Sequence, residues 1–491
     1  MARFFSALGI LALLAALPGC DGARDDGIVD AVIIGDPESM FDPGLRLSAP
    51  AQLLRGATTE GLVAFDASGE VVPALADRWI VTDDGQSYIF RLRDGEWAGG
   101  TALTSETVKT ALTRAIAGLR GTSLGLDLAP VTEVRAMTGR VVEIRLEGPV
   151  PGLLQLLAQP ELGLRRNASG VGPMALERKG DAAELTMLPP DMRGLPMRDD
   201  WEEYFEPIRV TAASADKAIA QFDSGAADIV LNGRISSLSL ADTGALSRGT
   251  VRLDAAVGLF GLRIKSSKGF LSEAIQREAI TLAIDRTALL EPFNIGGWVA
   301  TTRAVAPDLD GEVDTGAERW PDLSIEQRQA IALQRVERWR AANGGNSPRL
   351  KIAFPAGPGS ELLFSQIRKD LAAAGITSEL VTQEDQADLV LVDRLARFAS
   401  PRWFLNQFNC SLNLGLCSPE VDALVLDTIR EADPGRRDAI LREAEAVLNA
   451  SNIYIPFGAP IRWSLVRGNI TGFINNRWGL HPLPPLANRP I

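Results

Sequence analysis

Gly121-Thr122-Ser123-Leu124-Gly125 fits the G-x-S-x-G pattern, and the single histidine of the chain, His481, lies downstream with aspartates between. That set could do acyl transfer, with Ser123 as nucleophile and His481 as base. The surrounding elements speak against it. A nucleophile elbow needs a strand feeding in and a helix leaving, whereas the pattern here is helix and then loop. His481 sits in the proline-rich stretch HPLPPL, a poor mount for an oriented base. Pro355-Ala356-Gly357-Pro358-Gly359 falls between an expected strand and helix, but it lacks the Walker Lys-Ser/Thr and the GxGxxG spacing, so a tight turn is the expected reading. One histidine leaves little scope for proton shuttling or imidazole–metal chemistry. No metal and no cofactor is expected, and the chain does not read as an enzyme.

The other two reactive groups are Cys410 and Cys417, in NCSLNLGLCS. Two cysteines with one histidine make a poor tetrahedral site. In an oxidising compartment they would form a local disulfide, with buried thiols as the alternative. The N-terminus points to such a compartment. MARFFSALGILALLAALPGC has one arginine and then an apolar run from Phe4 to Leu17, short for a membrane span and followed by polar DGARDDG. Leu17-Pro18-Gly19-Cys20 resembles a bacterial lipobox, in which Cys20 would be the lipidated first residue of an exported protein. Residues 1–19 would be the signal peptide and 20–27 the tether to the cell membrane. The net charge of −12, with no basic tract, makes nucleic acid a poor partner. At 491 residues, two or three lobes are expected.

The elements alternate. IVDAVIIG opens as a strand. RWIVTDDGQSYIFRL spells a hairpin, with Tyr88, Phe90 and Leu92 on one face and Asp83-Asp84-Gly85-Gln86 as the turn. Thr104 then caps a helix, with Leu103 placed to staple onto Val108. VVEIRLEGP, AELTMLPP, PIRVTAAS and ADIVL read as strands. VGLFGLRIK reads as a strand crossing between lobes, and Ser272 as the cap of the helix that follows. RLKIAF, ELLFSQIRKDLAAAG, ITSELVT and ADLVLVD alternate strand and helix, as in an α/β lobe. Two amphipathic helices broken at Pro434-Gly435 precede IYIPFGAP and IRWSLVRG, late strands that run back to the first lobe.

Leu75-Ala76, Trp79, Asp83-Asp84-Gly85, Tyr88, Phe90, Leu92-Arg93, Gly95, Gly100-Thr101 and Thr104 resemble the signature of the family 5 extracellular solute-binding proteins of ABC importers. Glu60-Gly61-Leu62-Val63, Gly170-Val171-Gly172-Pro173, Arg277 with Ala279 and Ala283-Ile284-Asp285-Arg286, Pro401 with Phe404-Leu405, and Ile455-Pro456 with Leu465-Val466 follow in the family's order. The resemblance implies an α/β, two-lobed periplasmic-binding-protein fold with a hinge. Lobe I would comprise 28–45, 170–258 and 465–491, with 46–169 as an inserted subdomain, and lobe II would be 259–464. It implies a monomer that closes on a peptide or similar organic solute and delivers it to a permease; a sensing receptor of the same fold is the alternative. Peptide-binding members place an aspartate four residues before the Pro401 equivalent, to meet the ligand's ammonium. Here that position is Arg397, suited to a carboxylate or phosphate, and Asp393 lies four residues further back. Arg263 stands where an asparagine is common. Trp403 and Phe404 are expected as pocket walls, as amphipathic aromatics often are, with Met40 (beside Phe41) a further candidate.

Overall fold

Val29–Ile34 is apolar except for Asp30, which pairs with Arg209 at 2.9 Å, as suits a strand covered on both faces. It pairs in parallel with Ile208–Ala213 on one side and Ile229–Arg234 on the other. The computed structural model describes residues 27–97, 100–166, 169–241, 249–307, 309 and 316–490. Cys20 and the rest of the leader, and Ala98-Gly99 in the turn before Gly100, lie outside these. The first sheet has seven strands, in the order Met174–Lys179, Ala182–Met187, Ile208–Ala213, Val29–Ile34, Ile229–Arg234, Ile461–Val466 and Val251–Ala255. A second sheet has five, in the order Thr377–Val381, Arg349–Ala353, Leu389–Leu395, Gly258–Ile264 and Tyr454–Gly458. Two extended segments join these sheets, from Ala255 to Gly258 and from Gly458 to Ile461. The second crossing therefore falls before Ile461 rather than at 464/465, because Ile461–Val466 pairs along its length with Val251–Ala255.

The hairpin belongs to a third, four-stranded sheet: Ala76–Val81, Ser87–Leu92, Val141–Leu146 and Val131–Met137. Trp79 faces Phe90 and Val81 faces Tyr88 across it. Tyr88, Phe90 and Leu92 bury their shared face. Thr104 caps helix Ser105–Gly118, its hydroxyl accepting from Thr107 N at 3.3 Å while Thr107 Oγ1 accepts from Thr104 N at 3.0 Å. Leu103 and Val108 share one buried cluster. Ser272 does not cap the next long helix. Its hydroxyl donates to Gly269 O at 2.9 Å, and Glu273 precedes helix Ala274–Ala283. The local 3-10 turn Gly269–Leu271 competes for that hydroxyl.

The remaining motif residues act as fasteners. A Cβ on Gly170 would lie 2.0 Å from Thr59 Cγ2, and one on Gly172 would lie 2.3 Å from the Thr58 carbonyl carbon. Only glycine admits that approach, which seats the end of helix Ala49–Thr58. Arg277 donates to Ser451 O at 2.8 Å and Leu271 O at 2.9 Å, tying helix Pro434–Ser451 to its own. Arg286 donates to Pro456 O at 2.8 Å and Thr281 O at 3.2 Å. Its burial, reinforced by Arg328 and Arg319, lowers its pKa to about 9. The structure joins Cys410 to Cys417, with Cα atoms 5.1 Å apart. Among the described residues, no helix is long and apolar enough to cross a membrane.

Candidate functional site

A cleft of about 530 Å³ opens between the lobes. One wall comes from the loop entering helix Ala49–Thr58, from Gln159 and Glu161, and from Asn232 and Arg234 at the end of strand Ile229–Arg234. The other comes from Asp393, Arg394 and Arg397 after strand Leu389–Leu395, and from Trp403 and Gln407 on and beside helix Pro401–Asn406. Pro401 opens that helix at a position where its missing N–H is harmless, and Ser400 caps it. The short helix thus presents Trp403 to the cleft and buries Phe404 beneath it.

Three of the expected residues meet at the cleft, each already engaged. Asp393 Oδ1 accepts from Arg462 Nη1 at 2.7 Å, with side chains 7% and 4% exposed. That pair bridges the five-stranded and seven-stranded sheets. Arg397 reaches across the cleft: Nη1 donates to Gln159 Oε1 at 2.7 Å and Nη2 to Glu161 Oε1 at 3.0 Å. Gln159 Nε2 returns a bond to Arg397 O at 2.8 Å. The Arg397 fork is thus occupied by protein groups, and Asp393 is not free for an ammonium. Trp403 is 2% exposed and packs edge-to-face on Phe404, centroids 4.9 Å apart.

The other three stand apart from the cleft. Phe404 is fully buried in the core. Arg263 is buried on strand Gly258–Ile264, an interior strand of its sheet, donating to Gln407 O at 3.3 Å with its guanidinium 5.5 Å from the Phe408 ring centre. Burial, then Arg394, lowers its pKa to about 10. Met40 is buried and faces a separate cavity of about 750 Å³, beside Phe41 and Arg55. That larger cavity is walled by the first lobe and its subdomain alone, so lobe movement cannot close it on a guest.

Ser123 reaches the rim of the cleft, on helix Ser123–Asp127, whose cap is Thr122. His481 is held elsewhere, Nε2 2.9 Å from Asp254 Oδ2 and its ring stacked on Phe473 at 4.3 Å. Among the described residues no hydrogen bond joins Ser123 to a base, and no group of three His, Cys, Asp or Glu could hold a metal.

Beside the cleft the lobes are fastened to one another. Asn406 Nδ2 donates to Asp127 Oδ1 at 2.6 Å, Arg402 Nη2 to Leu126 O at 2.7 Å, and Ala399 N to Gln155 Oε1 at 3.1 Å. One apolar cluster runs from the four-stranded sheet through Phe398 and Trp403 into lobe II. Asp127 is wholly buried, which raises its pKa to about 7, against the opposing effects of Arg402 and Asn406.

Sequence reasoning missed Arg46, Arg234, Arg394 and Arg462, and the acid partner Glu161. A signal existed for Arg234. It follows the buried strand ADIVL with Asn232 at φ 67°, and ligands of α/β sheets gather at the carboxyl ends of strands. Asn232 Nδ2 donates to Ile34 O at 2.7 Å, fixing that turn beside the first strand.

With this geometry in place, the comparisons become specific. Residues 70–414 match the model of bacterial extracellular solute-binding proteins, family 5 Middle. The chain is 24% identical over 480 residues to a probable di/tripeptide-binding protein 5 of Pseudomonas aeruginosa, covering 85% of this chain and 87% of that protein. A probable deoxycholate-binding periplasmic protein of Escherichia coli is 37% identical over 145 residues, 26% of this chain and 27% of that protein. The Haemophilus influenzae OppA complex with RPPGFSPFR superposes with TM-score 0.79 at 18% identity, over 95% of this chain and 100% of that one. The two-lobed architecture and the family match over most of the chain agree, and the protein belongs to the family 5 bacterial extracellular solute-binding proteins.

Proposed function

We propose that this protein is the solute-capturing component of an ABC importer, enclosing a peptide or similarly sized organic solute between its lobes and handing it unaltered to a permease. The observation that carries this reading is the cleft. Its walls come from both lobes, and only two extended segments connect the two large sheets. Rotation about those segments opens and shuts the cavity as a unit, and a ligand favours the shut state by touching both walls at once. The di/tripeptide, oligopeptide and deoxycholate names of the relatives support a solute of this size range. The protein acts as a monomer without catalysis, with 46–169 as the inserted subdomain. Cys20 carries the lipid that holds it at the membrane.

Native mass spectrometry of protein isolated from its own host tests this, paired with small-angle scattering. Retained small-molecule cargo, with a larger radius of gyration after its removal, is the expected result. Turnover of that cargo, or profiles unchanged by every solute tried, would reject the reading. For the anchor, a Cys20→Ser variant is expected in the soluble fraction.

A further inference from the structure

The cleft is lined by five arginines, Arg46, Arg234, Arg394, Arg397 and Arg462, and by only two carboxylates, Glu161 and Asp393. Both carboxylates are committed, Glu161 to Arg397 at 3.0 Å and Asp393 to Arg462 at 2.7 Å. Three guanidinium groups are left over. Among the described residues the Arg394 guanidinium donates only to the neutral Gln407 Oε1, at 3.0 Å. The guanidinium groups of Arg234 and Arg46 make no hydrogen bond or ion pair among the described residues, although both reach the cavity. Arg234 is enclosed by protein and faces Arg462, and these two effects lower its pKa. Holding like charges together in a partly desolvated cleft is unfavourable for the empty protein. An enclosed anion relieves it, and a cleft with this excess concentrates anions from solution.

We infer that the guest is an organic anion, held through a carboxylate or comparable oxyanion by Arg234 and Arg394 with Arg46 at the rim, and that no carboxylate of the cleft receives an ammonium. This rests on the solute-binding reading above and narrows it. The planar guanidinium fork matches an oxyanion in two parallel hydrogen bonds. Trp403 and Trp478 supply the apolar part of the same cavity, so an amphipathic anion uses both kinds of wall.

The probes are deoxycholate and N-acetyl-trialanine, each a carboxylate without an ammonium, against trialanine amide, a cation without a carboxylate. Binding to the full mature chain is read by calorimetry and by thermal shift. At least one carboxylate is expected to bind and the amide is not. Arg394→Gln and Arg46→Gln, both at exposed positions and therefore safe for folding, are each expected to weaken binding about tenfold, the worth of one charge-assisted bond. Arg234→Gln should weaken it at least as much. Binding of the amide with neither carboxylate bound overturns the inference and leaves solute binding standing. A carboxylate affinity unmoved in the Arg46/Arg394 double variant overturns it too. Silence from all three probes, with a neutral or cationic cargo in the native spectrum, overturns the inference and leaves solute binding standing, whereas silence with no cargo at all removes both readings.

Discussion

Two sets of arginines in this protein behave in opposite ways. Arg277, Arg286 and Arg263 are buried in lobe II and spend their donors on backbone carbonyls. Arg46, Arg234 and Arg394 face the interlobe cleft with no ion-paired acid among the described residues. The first set converts buried charge into fixed geometry: each guanidinium satisfies carbonyls that helix ends and strand bends leave open. The second set keeps its hydrogen-bonding capacity for something the protein does not contain. The contrast teaches that an arginine's role is set by the acceptors within reach of its fork, and those acceptors come from remote parts of the chain.

The comparison can be broken where charge is buried deepest. Asp393→Ala leaves Arg462 buried without its acid, and a loss of about 3–5 kcal/mol in denaturant unfolding is expected. A loss below about 1 kcal/mol would show that water reaches Arg462 and that it belongs with the cleft set.

Asp127 sharpens the same point through pH. Burial raises its carboxyl pKa to about 7 in the folded protein, against 3.8 for an unperturbed aspartate. Between those values the unfolded chain gives up a proton that the folded protein keeps. Stability therefore falls as pH rises through that window, by about 2–4 kcal/mol, and is flat above it. Asp127→Asn should remove that part of the slope in melts taken from about pH 4 to pH 8. An unchanged slope would show that Asp127 is ionised beside Arg402.

Arg286→Gln should cost about 2–3 kcal/mol, because it removes the buried donor to Pro456 O and Thr281 O. Arg394→Gln should change stability by less than about 0.5 kcal/mol, as expected of a side chain held ready for a ligand. Equal effects of the two substitutions would erase the distinction between the sets.

How far the sequence reached depended on the range of the forces involved. The hairpin was legible because alternation and turn chemistry are local: Tyr88, Phe90 and Leu92 are buried as their spacing implies. The Thr104 cap was legible for the same reason, one hydroxyl and one turn of helix. Ser272 misled because a nearer carbonyl, Gly269 O, captured its hydroxyl. At the cleft, Trp403, Arg397 and Asp393 were found through the segment leading into helix Pro401–Asn406. Glu161, Arg234 and Arg462 were not, since each meets its neighbour at the cleft across 69 residues or more of chain.

By itself, the sequence determined the elements, the α/β alternation and the poverty of catalytic groups. These follow from periodicity, turn residues and a single histidine. Only the tertiary structure decided which charges are spent and which are left over. Arg397 reads as a ligand contact until Glu161 and Gln159 are brought to it, and Asp393 reads as an ammonium partner until Arg462 arrives from the other lobe. Coulomb and hydrogen-bond energies depend on distance through space, and the fold sets that distance irrespective of separation along the chain.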